Sequence, residues 1–283
     1  MNIREILTKA SDFFTKLELD TPRLDAEVLL AEVLDKKRVD LYVDFDQPLQ
    51  QEEIDRYRQL ILKRKEGIPV AYLTGQQEFM SLDFKITADV LIPRPETEHL
   101  VEQTLEIIDK AYTQQDKVKV VDVGTGSGAI IVSLAKLSAI ELNALAIDIS
   151  ADALKIAKKN ALKHKVKGYI DFKQGDLLEV VSDKVDIIVS NPPYISTDDM
   201  KNLPQDVKHE PVLALEAGDG GLKYYQAIIK QARDCLNKAG FIIFEVGQNQ
   251  ADSVSQLLKQ EGFKDLEIIE DYSGIERIVL ARL

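Results

Sequence analysis

The short turn Asn191-Pro192-Pro193-Tyr194 combines residue types that can grip a substrate. It follows the apolar run 185–190, which predicts a buried parallel strand. Two consecutive prolines have no N–H to donate, so the strand must end here in a stiff turn. Ligands of open α/β sheets bind at the carboxyl ends of strands. We therefore expect Asn191 Oδ1 and the Pro192 carbonyl to accept both protons of a planar NH2 group, with Tyr194 stacked on its plane. Asn191, Pro192 and Tyr194 are the candidate catalytic residues, and the whole turn, Pro193 included, is the candidate substrate site.

A glycine-rich turn, Gly124-Thr125-Gly126-Ser127-Gly128, joins a predicted strand to a predicted helix. Glycines permit a tight turn and a close approach of the backbone to a ligand. The spacing is G-x-G-x-G rather than the G-x-G-x-x-G of dinucleotide folds. Asp122 lies two residues before the first glycine, where a carboxylate disfavours a pyrophosphate and favours a cationic or hydroxyl-bearing ligand.

Two further strand ends carry carboxylates. Asp148 stands about where an acidic residue would bind ribose hydroxyls, although it could instead cap the next helix. Asp176 can meet an exocyclic amine such as that of adenine, although it could simply be a turn residue. Together with the glycine turn they describe a pocket for S-adenosylmethionine, whose sulfonium charge suits an acidic surround. The candidate cofactor-binding residues are Asp122, Gly124, Thr125, Gly126, Ser127, Gly128, Asp148, Asp176, Leu177 and Asn191.

Composition and charge argue against several classes of protein. The 283 residues carry 36 Lys and Arg against 48 Asp and Glu, a formal net charge of −12, which argues against a generic duplex-DNA binder. No apolar run approaches the ~20 residues of a membrane span, and the N-terminus lacks a signal-peptide pattern. The single cysteine, Cys235, cannot form an intrachain disulfide, and three scattered histidines indicate no metal site. We expect a cytoplasmic monomer that binds no metal, membrane or nucleic acid.

The chain divides into three expected segments. Residues 1–75 show apolar residues at three- and four-residue steps, which predicts a small helical domain with a first-turn proline at Pro22 and a third helix ending near Gly67. This domain would recognise the substrate, or else it would only support the main domain. Residues 76–95 form a hairpin linker, because 79–86 alternates apolar and polar residues. In that hairpin, Thr87-Ala88-Asp89 is expected to lie near a turn.

In the third segment, residues 96–283, strands and helices alternate, which predicts a doubly wound, mainly parallel Rossmann-like sheet. The predicted strands are 118–123, 142–147, 169–173, 185–190 and 241–246, and the predicted helices are 129–137, 151–162, 222–236 and 251–260. Two last strands, 266–269 and 275–280, meet at a Ser-Gly turn and should pair as a C-terminal antiparallel hairpin.

These residues resemble a known family. The glycine turn with its aspartates and the Asn191 turn are similar to those of class I methyltransferases that modify planar amino nitrogens. The segment Ile92-Pro93-Arg94-Pro95-Glu96-Thr97-Glu98, with Glu210-Pro211 and Asp219-Gly220-Gly221-Leu222, closely resembles the peptide-chain release factor glutamine methyltransferase family. The resemblance covers essentially the whole chain, more loosely in the N-terminal domain. It implies a substrate: the glutamine in the Gly-Gly-Gln loop of class 1 release factors.

Other functions are compatible with the same residues. The Asn-Pro-Pro-Tyr turn is shared with DNA adenine and other N-methyltransferases, so the main alternative is a nucleic-acid amino-methyltransferase acting on adenine or guanine. A nicotinamide-dependent oxidoreductase is disfavoured by the glycine spacing, and a non-catalytic adaptor has no need of the Asn191 turn. Arg94 and Glu96 either line the cofactor entrance or tie the hairpin to the main domain. No residue is an evident general base.

Overall fold

The computed structural model describes all residues 1–283, and its contacts divide the chain into two compact units. One unit comprises Met1–Gln76 together with the short segment Pro204–His209. The other comprises Gln77–Leu203 and Glu210–Leu283. No helix in either unit combines the length and apolar character that crossing a membrane requires.

Helices build the first unit: α1 (Ile3–Lys16), α2 (Pro22–Leu34), α3 (Arg38–Val43), α4 (Gln51–Lys65) and α5 (Val70–Thr74). The three helices predicted from periodicity are present as α1, α2 and α4, although Leu24, on the predicted apolar face of α2, is exposed, and α3 and α5 are too short to show a repeat of 3.6 residues. Pro22 begins α2 as predicted, and the Thr21 hydroxyl before it donates to Asp25 Oδ1 at 2.7 Å. A ring nitrogen of His209, in the appended segment, bonds the Glu66 carbonyl at 3.1 Å.

Buried apolar side chains from α1, α2 and α4 form the core of this unit, with Phe14, Leu29 and Leu30 fully buried. The carboxylates of Asp25 and Glu27 are also buried in this unit. The Asp25 carboxylate accepts from Arg64 Nε at 2.7 Å, and the buried Glu27 carboxylate accepts from Arg38 at 2.9 Å. Both carboxylates are therefore paired, as buried charges must be.

A two-stranded hairpin, β1 (Gln76–Phe79) and β2 (Leu82–Lys85), follows the first unit. The chain reverses at Met80-Ser81, where both residues have positive φ (52° and 58°), which matches the twist that two-residue hairpin turns need. The alternating run 79–86 therefore contains the hairpin turn, and the expected turn at 87–89 is a separate one, closed by Val90 N–H on the Thr87 carbonyl.

A seven-stranded sheet forms the centre of the second unit, in the order β5-β4-β3-β6-β7-β9-β8. Its strands are β3 (Lys117–Val123), β4 (Glu141–Asp148), β5 (Ile170–Gln174), β6 (Val185–Ser190), β7 (Leu236–Glu245), β8 (Lys264–Glu270) and β9 (Glu276–Arg282). Strands β3 to β7 are parallel, and β9 runs antiparallel to both β7 and β8. The predicted mainly parallel sheet with a C-terminal antiparallel hairpin is confirmed.

Five longer helices accompany the sheet: α6 (Glu98–Ala111), α7 (Ala129–Leu137), α8 (Ala151–Lys163), α9 (Lys223–Cys235) and α10 (Ala251–Gln260). Strand β7 begins at Leu236, five residues before its predicted start, because α9 ends at Cys235 and the chain enters the sheet with a register shift against β6. The connection order reverses at β3, which lies between β4 and β6. Open α/β sheets bind ligands at such a switch point.

Candidate active site

A cavity of about 500 Å³ opens at the carboxyl ends of the central parallel strands. This size is ordinary for a small-molecule site. The cavity brings together residues that the sequence placed on four separate strand ends: Gly124, Gly126, Asp148, Asp176, Leu177, Asn191, Pro192 and Pro193. Asp122, Thr125, Ser127, Gly128 and Tyr194, the other candidates, are not among its lining residues.

The glycine turn serves both the cavity and helix packing. Gly124 and Gly128 both have positive φ, 74° and 81°. A Cβ at Gly124 would meet no atom within 4 Å, whereas one at Gly128 would lie 3.0 Å from the Ala157 Cβ. Gly124 therefore exposes backbone to the cavity, and Gly128 lets α7 approach α8 closely.

Asp122 lies beneath the glycine turn and is fully buried. Its Oδ2 accepts a hydrogen bond from the Thr125 hydroxyl at 2.6 Å, and its Oδ1 has no partner. Burial, with a smaller contribution from the nearby Asp148 charge, raises the pKa of Asp122 to about 7. In this arrangement Asp122 supports the turn from below and does not line the cavity.

Asp148 ties two backbone segments together at the cavity. Its Oδ2 accepts from the Gly126 N–H and its Oδ1 from the Ser150 N–H, both at 2.8 Å. The cap of α8 is Ser150, whose Oγ accepts from the Ala153 N–H at 3.1 Å. Each Asp148 oxygen keeps a lone pair that can accept from a ligand hydroxyl. Burial raises the pKa of Asp148.

Two hydrogen bonds to other parts of the protein hold the Asn191 turn in place. Asn191 Nδ2 donates to the Thr97 hydroxyl oxygen at 3.1 Å, and the Tyr194 carbonyl accepts from Gln250 Nε2 at 3.0 Å. Tyr194 packs partly buried against the apolar core beside the sheet. Burial raises the pKa of its hydroxyl to about 12, so this side chain stays neutral.

The Ile92–Glu98 segment meets the Glu210 loop in one polar contact. Glu210, whose side chain is 1% exposed, pairs with the Arg94 guanidinium and accepts from the Ile92 N–H at 3.1 Å. Arg94 therefore ties two distant segments together. Since 116 residues separate the partners, only the family resemblance, which singled out both segments, indicated that they belong together.

Sequence reasoning missed part of the site. Buried Thr97 and Glu245 lie next to Asn191; Thr97 belongs to the segment that the family resemblance singled out but had no role assigned, and nothing in the sequence marked Glu245. Further cavity residues come from irregular stretches and from α9, where periodicity carries no information about a ligand: Asp89, Val90, Leu91, Pro211, Leu213, Ala214, Lys223, Tyr224, Ala227 and Ile228.

Comparisons with known proteins cover both units. Residues 5–75 match the family model described as PrmC N-terminal domain, and residues 101–218 match the one described as Methyltransferase small domain. The release factor glutamine methyltransferase of Clostridium acetobutylicum is 38% identical over 99% of this chain and 98% of that protein. The Bacillus subtilis protein of the same name is 39% identical, over 99% of this chain and 97% of its own.

Solved structures share the fold at low identity. The catalytic domain of hMettl16, in complex with MAT2A 3′UTR hairpin 6, aligns with a TM-score of 0.60 at 17% identity, covering 75% of this chain and 79% of that one. A methyltransferase from Pyrococcus furiosus aligns with a TM-score of 0.53 at 15% identity, covering 72% and 90%. These likenesses support the class I methyltransferase fold.

Proposed function

Because the chain belongs to the release factor glutamine methyltransferase family, we propose that it methylates the glutamine in the Gly-Gly-Gln loop of class 1 release factors, on the side-chain amide nitrogen and with S-adenosylmethionine as donor. One observation carries the proposal. Asn191 and Pro192, at the end of β6, line the same cavity as the glycine turn and the acidic ends of β4 and β5. A grip for an NH2 group thus adjoins a pocket suited to the donor.

The residues around the cavity fit the donor. Gly124 leaves open space beside its backbone, which a ligand can approach closely. Asp148 can accept from ribose hydroxyls, and Asp176, exposed at the cavity, can accept from the adenine amine. When bound, S-adenosylmethionine supplies an electrophilic methyl group on a positively charged sulfur.

The substrate nitrogen needs assistance because the lone pair of an amide is delocalised into its carbonyl. Asn191 Oδ1 and the Pro192 carbonyl would accept its two N–H bonds and aim the nitrogen at the methyl group. Orienting reactants in this way can lower a barrier by several kcal/mol. The same two oxygens would stabilise positive charge that develops on the nitrogen. Tyr194 would pack against the amide plane, and the proton would leave to water, with no general base assigned.

The test is methyl transfer with three acceptors in parallel: purified class 1 release factor, DNA and RNA. We expect one methyl group on release factor, and mass spectrometry should place it on the Gly-Gly-Gln glutamine. Transfer onto nucleic acid instead would establish the alternative amino-methyltransferase. A methyl group at another position of the release factor would overturn the proposed substrate residue.

A matched pair of variants tests the role of the turn. Asn191→Ala should nearly abolish turnover while leaving donor binding mostly intact, because the side chain grips the substrate. Asn202→Ala, a change at an exposed asparagine of the same unit, is the control and should keep wild-type turnover. Near-normal turnover of Asn191→Ala would overturn the proposed role of the turn.

A further inference from the structure

Three buried or partly buried polar side chains meet behind the Asn191 turn. Asn191 follows β6, Glu245 ends β7, and Thr97 immediately precedes α6. Ser190 and Phe244 are register partners on these adjacent strands, so Asn191 and Glu245 occupy neighbouring positions at the same sheet edge. Thr97 is 4% exposed and Glu245 is 2% exposed. Polar groups buried to this degree need partners, and Asn191 provides one for Thr97.

The contacts form a small network. Asn191 Nδ2 donates to Thr97 Oγ1 at 3.1 Å. The Glu245 carboxyl lies next to the Thr97 hydroxyl and the Asn191 amide, and both groups favour its ionised form. One carboxylate oxygen, Glu245 Oε2, is buried without a partner. The Glu245 carboxylate is therefore one acceptor group that lies next to both Thr97 and Asn191.

Counting hydrogens determines the direction of each bond. An ionised carboxylate can only accept, so the one hydroxyl hydrogen of Thr97 goes to Glu245. The Thr97 oxygen must then accept, and it accepts from Asn191 Nδ2. The second Nδ2 hydrogen is available to Glu245. Both hydrogens of the Asn191 amide thus face inward, which leaves Oδ1 facing the cavity that Asn191 lines.

We propose that Thr97 and Glu245 are positioning residues that hold the Asn191 amide with Nδ2 inward and Oδ1 toward the substrate. This inference rests on the proposed function, in which Asn191 Oδ1 accepts from the glutamine NH2. An Asn191 amide rotated by 180° would set an NH2 group against the substrate NH2. Two donors would then face each other, and the grip would be lost. The orientation of the Asn191 amide therefore decides whether this side chain attracts or repels the substrate NH2 group.

Burial raises the pKa of Glu245 to about 7, which links the network to pH. Arg277 on β9 favours the ionised form and Glu96 opposes it, while Tyr194 and Tyr225 also face the carboxyl. A protonated Glu245 can donate to Thr97, and the Thr97 hydrogen is then free to turn toward Asn191. The amide loses its unique orientation in that state. The turnover rate should therefore fall as the pH drops below about 7.

Three variants isolate this role. Thr97→Val keeps the side-chain shape and removes the hydroxyl, Glu245→Gln replaces an acceptor-only group with one that also donates, and Thr97→Ser restores the hydroxyl. For Thr97→Val and Glu245→Gln we expect kcat for release factor to fall at least about tenfold, with donor Kd within about threefold of wild type. Thr97→Ser should keep kcat within about threefold of wild type, and Glu245→Gln should lose the acidic limb of the pH–rate profile.

The outcomes separate this inference from the proposed function. If wild type does not methylate release factor, or Asn191→Ala stays active, the proposed function fails. If Asn191→Ala is inactive while folded Thr97→Val and Glu245→Gln keep kcat within about twofold, only the positioning role fails. Should either variant lose donor binding, the pH profiles of wild type and Thr97→Ser decide, and profiles that stay flat through pH 7 overturn the role.

Discussion

The Ser190 hydroxyl donates to the Val123 carbonyl at 2.7 Å, joining β6 to β3 one residue before the Asn191 turn and the glycine turn begin. The two residues are also register partners in the parallel ladder. Ser190 is fully buried, so this bond is shielded from water. The Asn191 turn and the glycine turn therefore begin on two adjacent strands that this hydrogen bond holds together.

Removing that tie should weaken both stability and catalysis. Ser190→Ala removes a buried hydrogen bond, and we expect the free energy of unfolding to fall by about 1 kcal/mol. The KM for the donor should rise because the turns lose their common anchor. Urea unfolding and steady-state kinetics measure the two effects. Ser255→Ala is the control, since its buried hydroxyl has no partner and its removal should cost no stability. Equal losses in both variants would contradict the anchoring role.

The two ends of the glycine turn should respond differently to an added methyl group. Gly124→Ala and Gly128→Ala both strain a left-handed backbone position, at a cost of about 1 kcal/mol. Gly128→Ala also presses on Ala157, so it should be the less stable variant. Gly124→Ala projects into the cavity and should mainly weaken donor affinity. Thermal unfolding and donor titration distinguish the two variants. If Gly124→Ala were the less stable and Gly128→Ala bound the donor more weakly, the roles assigned to the two glycines would be wrong.

Buried Asp122 should make stability depend on pH. Because burial raises its pKa from 3.8 to about 7, the folded state holds the proton more tightly than the unfolded chain does. The contribution of Asp122 to folding is therefore fully present below about pH 4 and is lost as the pH rises through about 7.

Asp122→Asn cannot ionise, so its stability relative to wild type should rise between pH 5 and pH 8 by at least about 1 kcal/mol. Urea unfolding at both pH values measures the difference. Exposed Asp183→Asn is the control, and its stability relative to wild type should change little. A constant difference between Asp122→Asn and wild type would mean that Asp122 is ionised throughout this range.

The Glu210 carboxylate should fix the position of the loop that contributes Pro211 and Leu213 to the cavity lining. Glu210→Ala leaves the Arg94 guanidinium and the Ile92 N–H without their partner, and we expect a loss of about 2 kcal/mol in stability. Donor affinity should fall as well, because neighbouring Pro211 and Leu213 line the cavity. Lys201→Ala, which breaks the exposed ion pair with Asp198, should change neither quantity measurably. Unfolding and donor titration of the two variants provide the check.

The order of strands and helices followed from local patterns. An apolar run ending in two prolines can only be a strand that stops, so the place of Asn191 was predictable from its neighbours alone. The same holds for α7 and α10, whose bounds match the prediction because 3.6-residue periodicity and flanking glycine or polar residues act over a few positions. The two short helices α3 and α5 escaped prediction for the same reason, since neither is long enough to repeat.

The sequence by itself determined which side chains reach strand ends, the alternation that builds a parallel sheet, and through resemblance the family. Only the tertiary structure decided what surrounds them. Thr97 meets Asn191 across 94 residues, and Glu210 meets Arg94 across 116, because such contacts depend on which strands pair and how far each loop extends. Likewise Asp122 was visible as a carboxylate, but only packing shows that it is buried with an unpartnered oxygen. Burial and partner choice are properties of the whole fold, and no local window of sequence contains them.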